Sequence, residues 1–182
     1  PNNVLVVFDE AYFEYAAIDE NYPDTTKYIQ KGHQNVVTLR TFSKAYALAG
    51  LRVGYGIADK KIIEMLEKVR LPFNVSVLAQ AGAIAALDDN DHIKNSIELN
   101  EKAKAYIYDE VTKMGLKYIP TYANFMLIDV EKSSKEVFND LIKEGVIIRP
   151  MGGVIEKYIR VTTGTMEENR IFIEKLRKVL KK

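Results

Sequence analysis

Apolar positions near the start of the chain come in short runs, not helical stripes. Val4-Leu5-Val6-Val7-Phe8, closed by Asp9-Glu10, is the pattern of a strand buried on both faces. Residues 24–31 suit a short helix that Gly32 stops, and residues 35–40 form a second strand, followed by Thr41-Phe42-Ser43-Lys44. Small residues over 45–50 predict tight packing, and residues 52–58 give a third strand in which Gly54 and Gly56 signal close backbone approach. Asp59 can cap a helix over 60–70, with Ile62, Ile63, Leu66 and Val69 on one face, before Leu71-Pro72 breaks it. Residues 77–87 are alanine-rich on every side, which predicts a buried helix. A polar hinge at 88–91 leads into an amphipathic helix over 92–114, ended by Gly115.

Beyond Gly115 the grain changes. Short strands over 117–119, 124–130, 146–149 and 158–162 alternate with helices over 134–144 and 167–180, and Ser133 or Ser134 is placed to cap the first of these helices. The expected fold is therefore α/β: part of a mixed sheet with helices over residues 1–90, then a small α+β domain over residues 91–182. A fully apolar strand at the start needs neighbours on both sides, so sequence upstream is expected to complete the sheet.

Composition narrows the function. Lys and Arg number 26 against 25 Asp and Glu, a net charge of +1 that gives no reason to expect nucleic acid or an anionic membrane as partner. No run of apolar residues is long enough for a membrane-spanning helix. With no cysteine there is no disulfide framework, thiolate nucleophile or cysteine metal site, and a cytoplasmic location is expected. His33 and His92 lack partners at metal-ligand spacing and read as surface residues, so no metal site is expected. Phe73 and Asn74 read as core packing or loop capping rather than as the border of a substrate pocket, and Gly152-Gly153 as a turn rather than an anion nest.

Ligands of open α/β sheets bind beyond the carboxyl ends of the strands. Asp9 and Lys44 follow the first and second strands, and parallel pairing would bring them, with Arg52, to one edge. Lys44 sits among alanine, leucine and glycine, and a desolvated amine is a usable nucleophile toward an aldehyde. Asp9 alone is ambiguous: an apolar run ending in Asp-Glu also occurs in P-loop ATPases, but no phosphate-binding loop precedes it here.

The segment Thr41-Phe42-Ser43-Lys44-Ala45-Tyr46-Ala47-Leu48-Ala49-Gly50-Leu51-Arg52-Val53-Gly54-Tyr55 resembles the cofactor-lysine segment of fold-type-I aminotransferases, in the form found in histidinol-phosphate aminotransferases. Asp9-Glu10-Ala11-Tyr12 resembles a second motif of that family, and the likeness continues through Gln80-Ala81, Asn124-Phe125, Arg149-Pro150 and residues 159–165. The resemblance implies the C-terminal half of such an enzyme: part of the large pyridoxal-phosphate (PLP) domain, then the small domain. It implies pyridoxal 5'-phosphate as cofactor, with Lys44 as its lysine and proton carrier, Asp9 on the ring nitrogen, Tyr12 on the ring hydroxyl oxygen, and Ser43 and Arg52 on the phosphate. Arg160, assisted by Arg149, would hold the anionic group of a small-molecule amino donor and of a 2-oxo acid. The implied reaction is transamination between L-histidinol phosphate and 2-oxoglutarate in histidine biosynthesis, by a homodimer. The family's upstream cofactor contacts have no counterpart in this sequence, so the chain alone is expected to be a poor enzyme. The rivals are an aromatic-amino-acid aminotransferase, a related PLP-dependent decarboxylase, a P-loop ATPase fragment and a non-catalytic domain.

Overall fold

A computed structural model describes residues 3–182. The chain divides into two compact units, one ending at Asn95 and the other spanning Ser96–Lys182. The expected polar hinge is a break at Asp89, between α4 (Val77–Asp88) and the long helix α5 (Asn90–Lys113), which carries the chain from one unit to the other.

In the first unit, β1 (Val6–Asp9) leads through a single helical turn, α1 (Phe13–Ala16), and a short helix, α2 (Thr26–Gln30), to β2 (Val36–Thr41). A 3-10 turn over Ala49–Leu51 then precedes β3 (Gly54–Ala58). The sheet order is β1-β2-β3, with β1 and β2 parallel and β2 and β3 antiparallel. Parallel pairing in the register Asp9↔Leu39 sets the carboxyl ends of β1 and β2 side by side. Gly54 is needed for the return strand: a Cβ there would lie 2.8 Å from the Arg40 carbonyl oxygen.

Helices α3 (Lys60–Val69) and α4 (Val77–Asp88) complete the unit. Both have side-chain caps: Asp59 accepts from the Lys61 amide at 2.9 Å, and Ser76 from the Ala79 amide at 3.1 Å. Ala79 and Ala83 pack against Phe42 and Val53, but the rest of α4 is not buried as expected. Val77, Leu78 and Ile84 are exposed, because only the face that meets the lysine loop finds a partner among the described residues. The expected double-sided burial of the first strand is not seen either: Val7 is exposed, because nothing among the described residues covers that face of β1. Phe73 is also no core residue; it stands fully exposed at a left-handed φ of 55°.

The second unit has a fully antiparallel sheet in the order β4-β5-β7-β6, made of β4 (Lys117–Ile119), β5 (Phe125–Asp129), β7 (Tyr158–Thr162) and β6 (Arg149–Pro150). Helices α5, α6 (Ser134–Lys143) and α7 (Met166–Leu180) cover it. Met126, Ile128, Ile159 and Val161 meet Ile107, Val111, Leu141 and Leu176 in one core. Alternation along β7 turns Arg160 away from the face that carries Ile159 and Val161. The strand expected over 146–149 shrinks to Arg149–Pro150, because the Val146 amide instead closes the end of α6 on the Leu141 carbonyl. Ser133 makes no capping bond, and the Ser134 hydroxyl donates to the Met151 carbonyl at 2.7 Å. Helix α7 starts with a capping box between Thr165 and Glu168.

Candidate functional site

Two clusters of predicted site residues form, one in each unit. The first lies at the carboxyl ends of β1 and β2. Asp9 ends β1 and is exposed; its Oδ1 accepts from the Ala11 amide at 3.1 Å, which sets the carboxylate against the start of α1. Tyr12 stands at the head of α1, half-buried, with its ring centroid 5.2 Å from Lys44 Nζ. Lys44 is half-buried in the loop after β2. That loop is shaped locally: the Ser43 amide donates to Thr41 Oγ1 at 3.1 Å, and the Ala47 amide to the Lys44 carbonyl at 2.9 Å.

Arg52 closes the loop. Its Nη1 donates to the Ala49 carbonyl at 2.8 Å and reaches Ser43 Oγ at 3.5 Å, so the two predicted phosphate ligands stand together. Ala47 and Arg52 both adopt left-handed backbone, at φ 58° and 54°. Side chains with a Cβ seldom take this conformation, and strain of this kind clusters at functional sites. Asp9 has no hydrogen bond or ion pair with Lys44 among the described residues; what relates them is the strand register.

The second cluster lies on the sheet of the second unit. Arg149 and Arg160 are register partners on β6 and β7, so the two guanidinium groups leave the same face. Arg160 is half-buried, its guanidinium carbon 5.0 Å from the Phe125 ring centroid. Both arginines line a cavity of about 690 Å³, together with Thr162, Gly164 and Asn169. Asn169 fixes one wall: its side chain accepts from the Gly164 amide at 3.1 Å and donates to the Gly164 carbonyl at 3.0 Å. Two like charges opposite each other weaken a sheet, so the pair is no cross-strand staple.

Sequence reasoning missed several groups beside these residues. Glu10, next to Asp9, is buried and bonded to Arg40 Nε at 2.9 Å. Glu14 on α1 is largely buried; desolvation raises its pKa, and its Oε2 has no hydrogen-bond partner. The exposed His92 is not detached, since its Nε2 lies 3.1 Å from the Ala45 carbonyl oxygen. Asn100, buried on α5, accepts from Thr163 Oγ1 at 2.8 Å and so ties the loop after β7 to that helix. One cue was available for Arg40: it occupies the same alternating face of β2 as the buried Thr38. Among the described residues no cluster of three or more potential metal ligands occurs, and no helix is long and apolar enough to cross a membrane.

Comparison with known proteins places these clusters in context. The family model for aminotransferase class I and II matches residues 1–176. The chain is 49% identical, over 99% of its length, to the histidinol-phosphate aminotransferase of Moorella thermoacetica, and covers 47% of that protein. It is 47% identical to histidinol-phosphate aminotransferase 2 of Carboxydothermus hydrogenoformans, covering 99% of this chain and 50% of the relative. It is also similar to the crystal structure of histidinol-phosphate aminotransferase from Sinorhizobium meliloti in complex with pyridoxal-5'-phosphate. That match has a TM-score of 0.89 and 31% identity, and covers 100% of this chain and 50% of the other. The chain thus spans about half the length of the curated relatives it matches.

Proposed function

Because the chain belongs to the aminotransferase class I and II family, we propose that it is the C-terminal half of a histidinol-phosphate aminotransferase that uses pyridoxal phosphate. The substrates would be L-histidinol phosphate and 2-oxoglutarate, and the setting histidine biosynthesis in the cytoplasm by a homodimer. The observation that carries the reading is the meeting of Lys44, Tyr12, Ser43 and Arg52 beyond the carboxyl ends of β1 and β2. The identity of 49% to a histidinol-phosphate aminotransferase supports this choice over the aromatic-amino-acid and decarboxylase alternatives. A P-loop ATPase has no support from either source.

The residues fit the cofactor in kind. An amine suits its aldehyde, a carboxylate its ring nitrogen, a phenol its ring hydroxyl, and a hydroxyl beside a guanidinium its phosphate. Arg52 commits only Nη1 to the loop among the described residues, which leaves Nε and Nη2 for a phosphate. When bound, pyridoxal phosphate supplies a carbonyl that captures amines and a ring that accepts the electron pair left on the substrate carbon.

The chain's own tasks follow from that chemistry. Lys44 would offer Nζ to the aldehyde and carry a proton at Nζ; positioned acid–base work of this sort is worth roughly 10²–10⁴-fold. Asp9 would hold the proton on the ring nitrogen, and Tyr12 would hydrogen-bond the ring oxygen. Arg160 and Arg149 bind the phosphate of one substrate and a carboxylate of the other, each through charge-assisted hydrogen bonds. Because the curated relatives are about twice as long, full turnover is expected of the complete protein and little of this chain alone. The test is to add pyridoxal phosphate to the chain, reduce with borohydride and map the peptides. Label confined to Lys44, and lost in Lys44→Ala, is the expected result. Label scattered over surface lysines would refute the assignment.

A further inference from the structure

Between β1 and β2 lies a charged cluster to which the proposed reaction gives no task. Arg40 sits near the end of β2, its side chain 13% exposed and that of Glu10 only 3%. Arg40 Nε and Nη2 both lie 2.9 Å from Glu10 Oε2, and Nη2 also donates to Asp24 Oδ1 at 2.9 Å. The other oxygen of Glu10 accepts from the Thr25 amide at 3.0 Å, and Thr25 Oγ1 lies 2.6 Å from Thr38 Oγ1 on β2. The guanidinium also stacks on Phe13, its central carbon 3.5 Å from the ring centroid. One side chain thus grips the residue after Asp9, the residue after Tyr12 and the head of α2, from a strand position four residues before Lys44. Desolvation works against the charge on Arg40, but the hydrogen bonds and charge of Glu10 outweigh it and raise its pKa.

We infer that Arg40 is a positioning residue, which fixes Asp9 and Tyr12 on one strand end against the Ser43-Lys44 loop on the next. This rests on the cofactor reading above. A parallel strand pair, continued by the Glu10 amide on the Leu39 carbonyl at 2.9 Å, sets the height of Asp9 relative to Lys44, and the turn that carries Tyr12 lies beyond that ladder. The buried fork ties this turn to β2, because three of its contacts (Glu10, Phe13 and Asp24) lie on the segment that carries Tyr12. Lysine cannot replace it: a single ammonium has no planar fork to bond two carboxylates while lying flat on a ring.

The experiment compares the 182-residue chain with Arg40→Lys and Glu10→Gln, each first shown folded by circular dichroism and melting. One readout is the pyridoxal phosphate concentration that half-saturates the visible band and borohydride label at Lys44. The other, taken without cofactor, is hydrogen exchange at the Ala11 and Ser43 amides, which bond to Asp9 Oδ1 and Thr41 Oγ1. Arg40→Lys is expected to raise half-saturation about tenfold, as a misplacement of a fraction of an ångström would, and to speed exchange at Ala11. Glu10→Gln should do both to a lesser degree, and it decides the matter if Arg40→Lys does not fold. Unchanged half-saturation and exchange in a folded variant would overturn the inference. If the unaltered chain takes no label at Lys44, the cofactor reading fails instead, and the exchange data alone decide whether Arg40 positions this segment.

Discussion

Replacing Arg160 with glutamine separates function from stability in a way that the sheet geometry makes quantitative. Arg160 stands opposite Arg149 in the β6–β7 register, and its guanidinium rests on Phe125. Relief of a directly opposed like-charge pair gains about 0.2–1 kcal/mol. Loss of the cation–π contact forfeits about 0.5–1 kcal/mol. The two nearly cancel, so melting of the second unit should move by less than about 4 °C. Binding has no such compensation. A hydrogen bond to a charged group contributes about 1.5–3 kcal/mol, so loss of one from a bound phosphate or carboxylate weakens recognition roughly ten- to a hundredfold. In the complete protein, kcat/KM for histidinol phosphate and for 2-oxoglutarate should fall together by that factor, while label at Lys44 persists. Loss for one substrate only would refute the shared anion role. A drop in melting temperature above 10 °C would show that Arg160 serves the sheet instead.

Gly54→Ala would place a Cβ 2.8 Å from the Arg40 carbonyl and 3.5 Å from Thr41 Cα, both backbone atoms that cannot swing away. The β2–β3 ladder must open, at a cost of about 1–3 kcal/mol; an unchanged urea midpoint would contradict this. Glu14→Gln tests a buried acid. Desolvation raises the Glu14 pKa in the folded chain, so its stability contribution is complete below the ordinary carboxylate range and is lost as pH rises through the raised value. The glutamine variant should therefore melt higher than the unaltered chain at pH 7, and the gap should close on acidification below the carboxylate range. A gap that is the same at both ends would exclude ionisation as its cause.

Strand ends were easier to see in the sequence than partners across space. Val4 to Asp9 announces a strand and its end through composition alone, and Lys44 after residues 35–40 does the same. Parallel β1 and β2 then follow, and with them the shared edge. Burial was misjudged where the pattern says only that a surface is apolar. Residues 77–87 are apolar all round, but a pattern cannot say how many faces find a neighbour, and only the face with Ala79 and Ala83 does so among the described residues. The Arg40–Glu10–Asp24 cluster was invisible for another reason. Its members are far apart in sequence, and each taken singly is an ordinary charge. Only the crossing from α1 through α2 back to β2 brings them together. The short β6 was over-read because Val146, Ile147 and Ile148 have strand composition. The close of α6 claims the Val146 amide first, and Ile147 is left exposed.

Most of the chain obeys local rules: caps sit at the starts of α3, α4 and α7, and the second core is closed around Ile107, Met126, Ile159 and Leu176. Some exceptions stand near the predicted site residues. Ala47 and Arg52 adopt backbone that suits glycine, in the loop that presents Lys44. Arg149 and Arg160 face each other with like charge, on the wall of the cavity they share. Glu14 buries an unbonded carboxyl oxygen two residues from Tyr12. Each of these choices has a simple alternative: glycine in the loop, an opposite charge on the strand, or an apolar residue in the turn. A sequence that specifies a stable structure breaks such rules mainly where function requires it. The departures at Ala47, Arg52, Glu14, Arg149 and Arg160 fall on or beside the predicted site residues, while the left-handed Phe73, Glu131 and Lys181 and the unbonded Arg177 Nε fall elsewhere. The Arg40 fork bonds to the segment that carries the unbonded Glu14 oxygen, and with it Asp9 and Tyr12, so a rigid hold there keeps both in place.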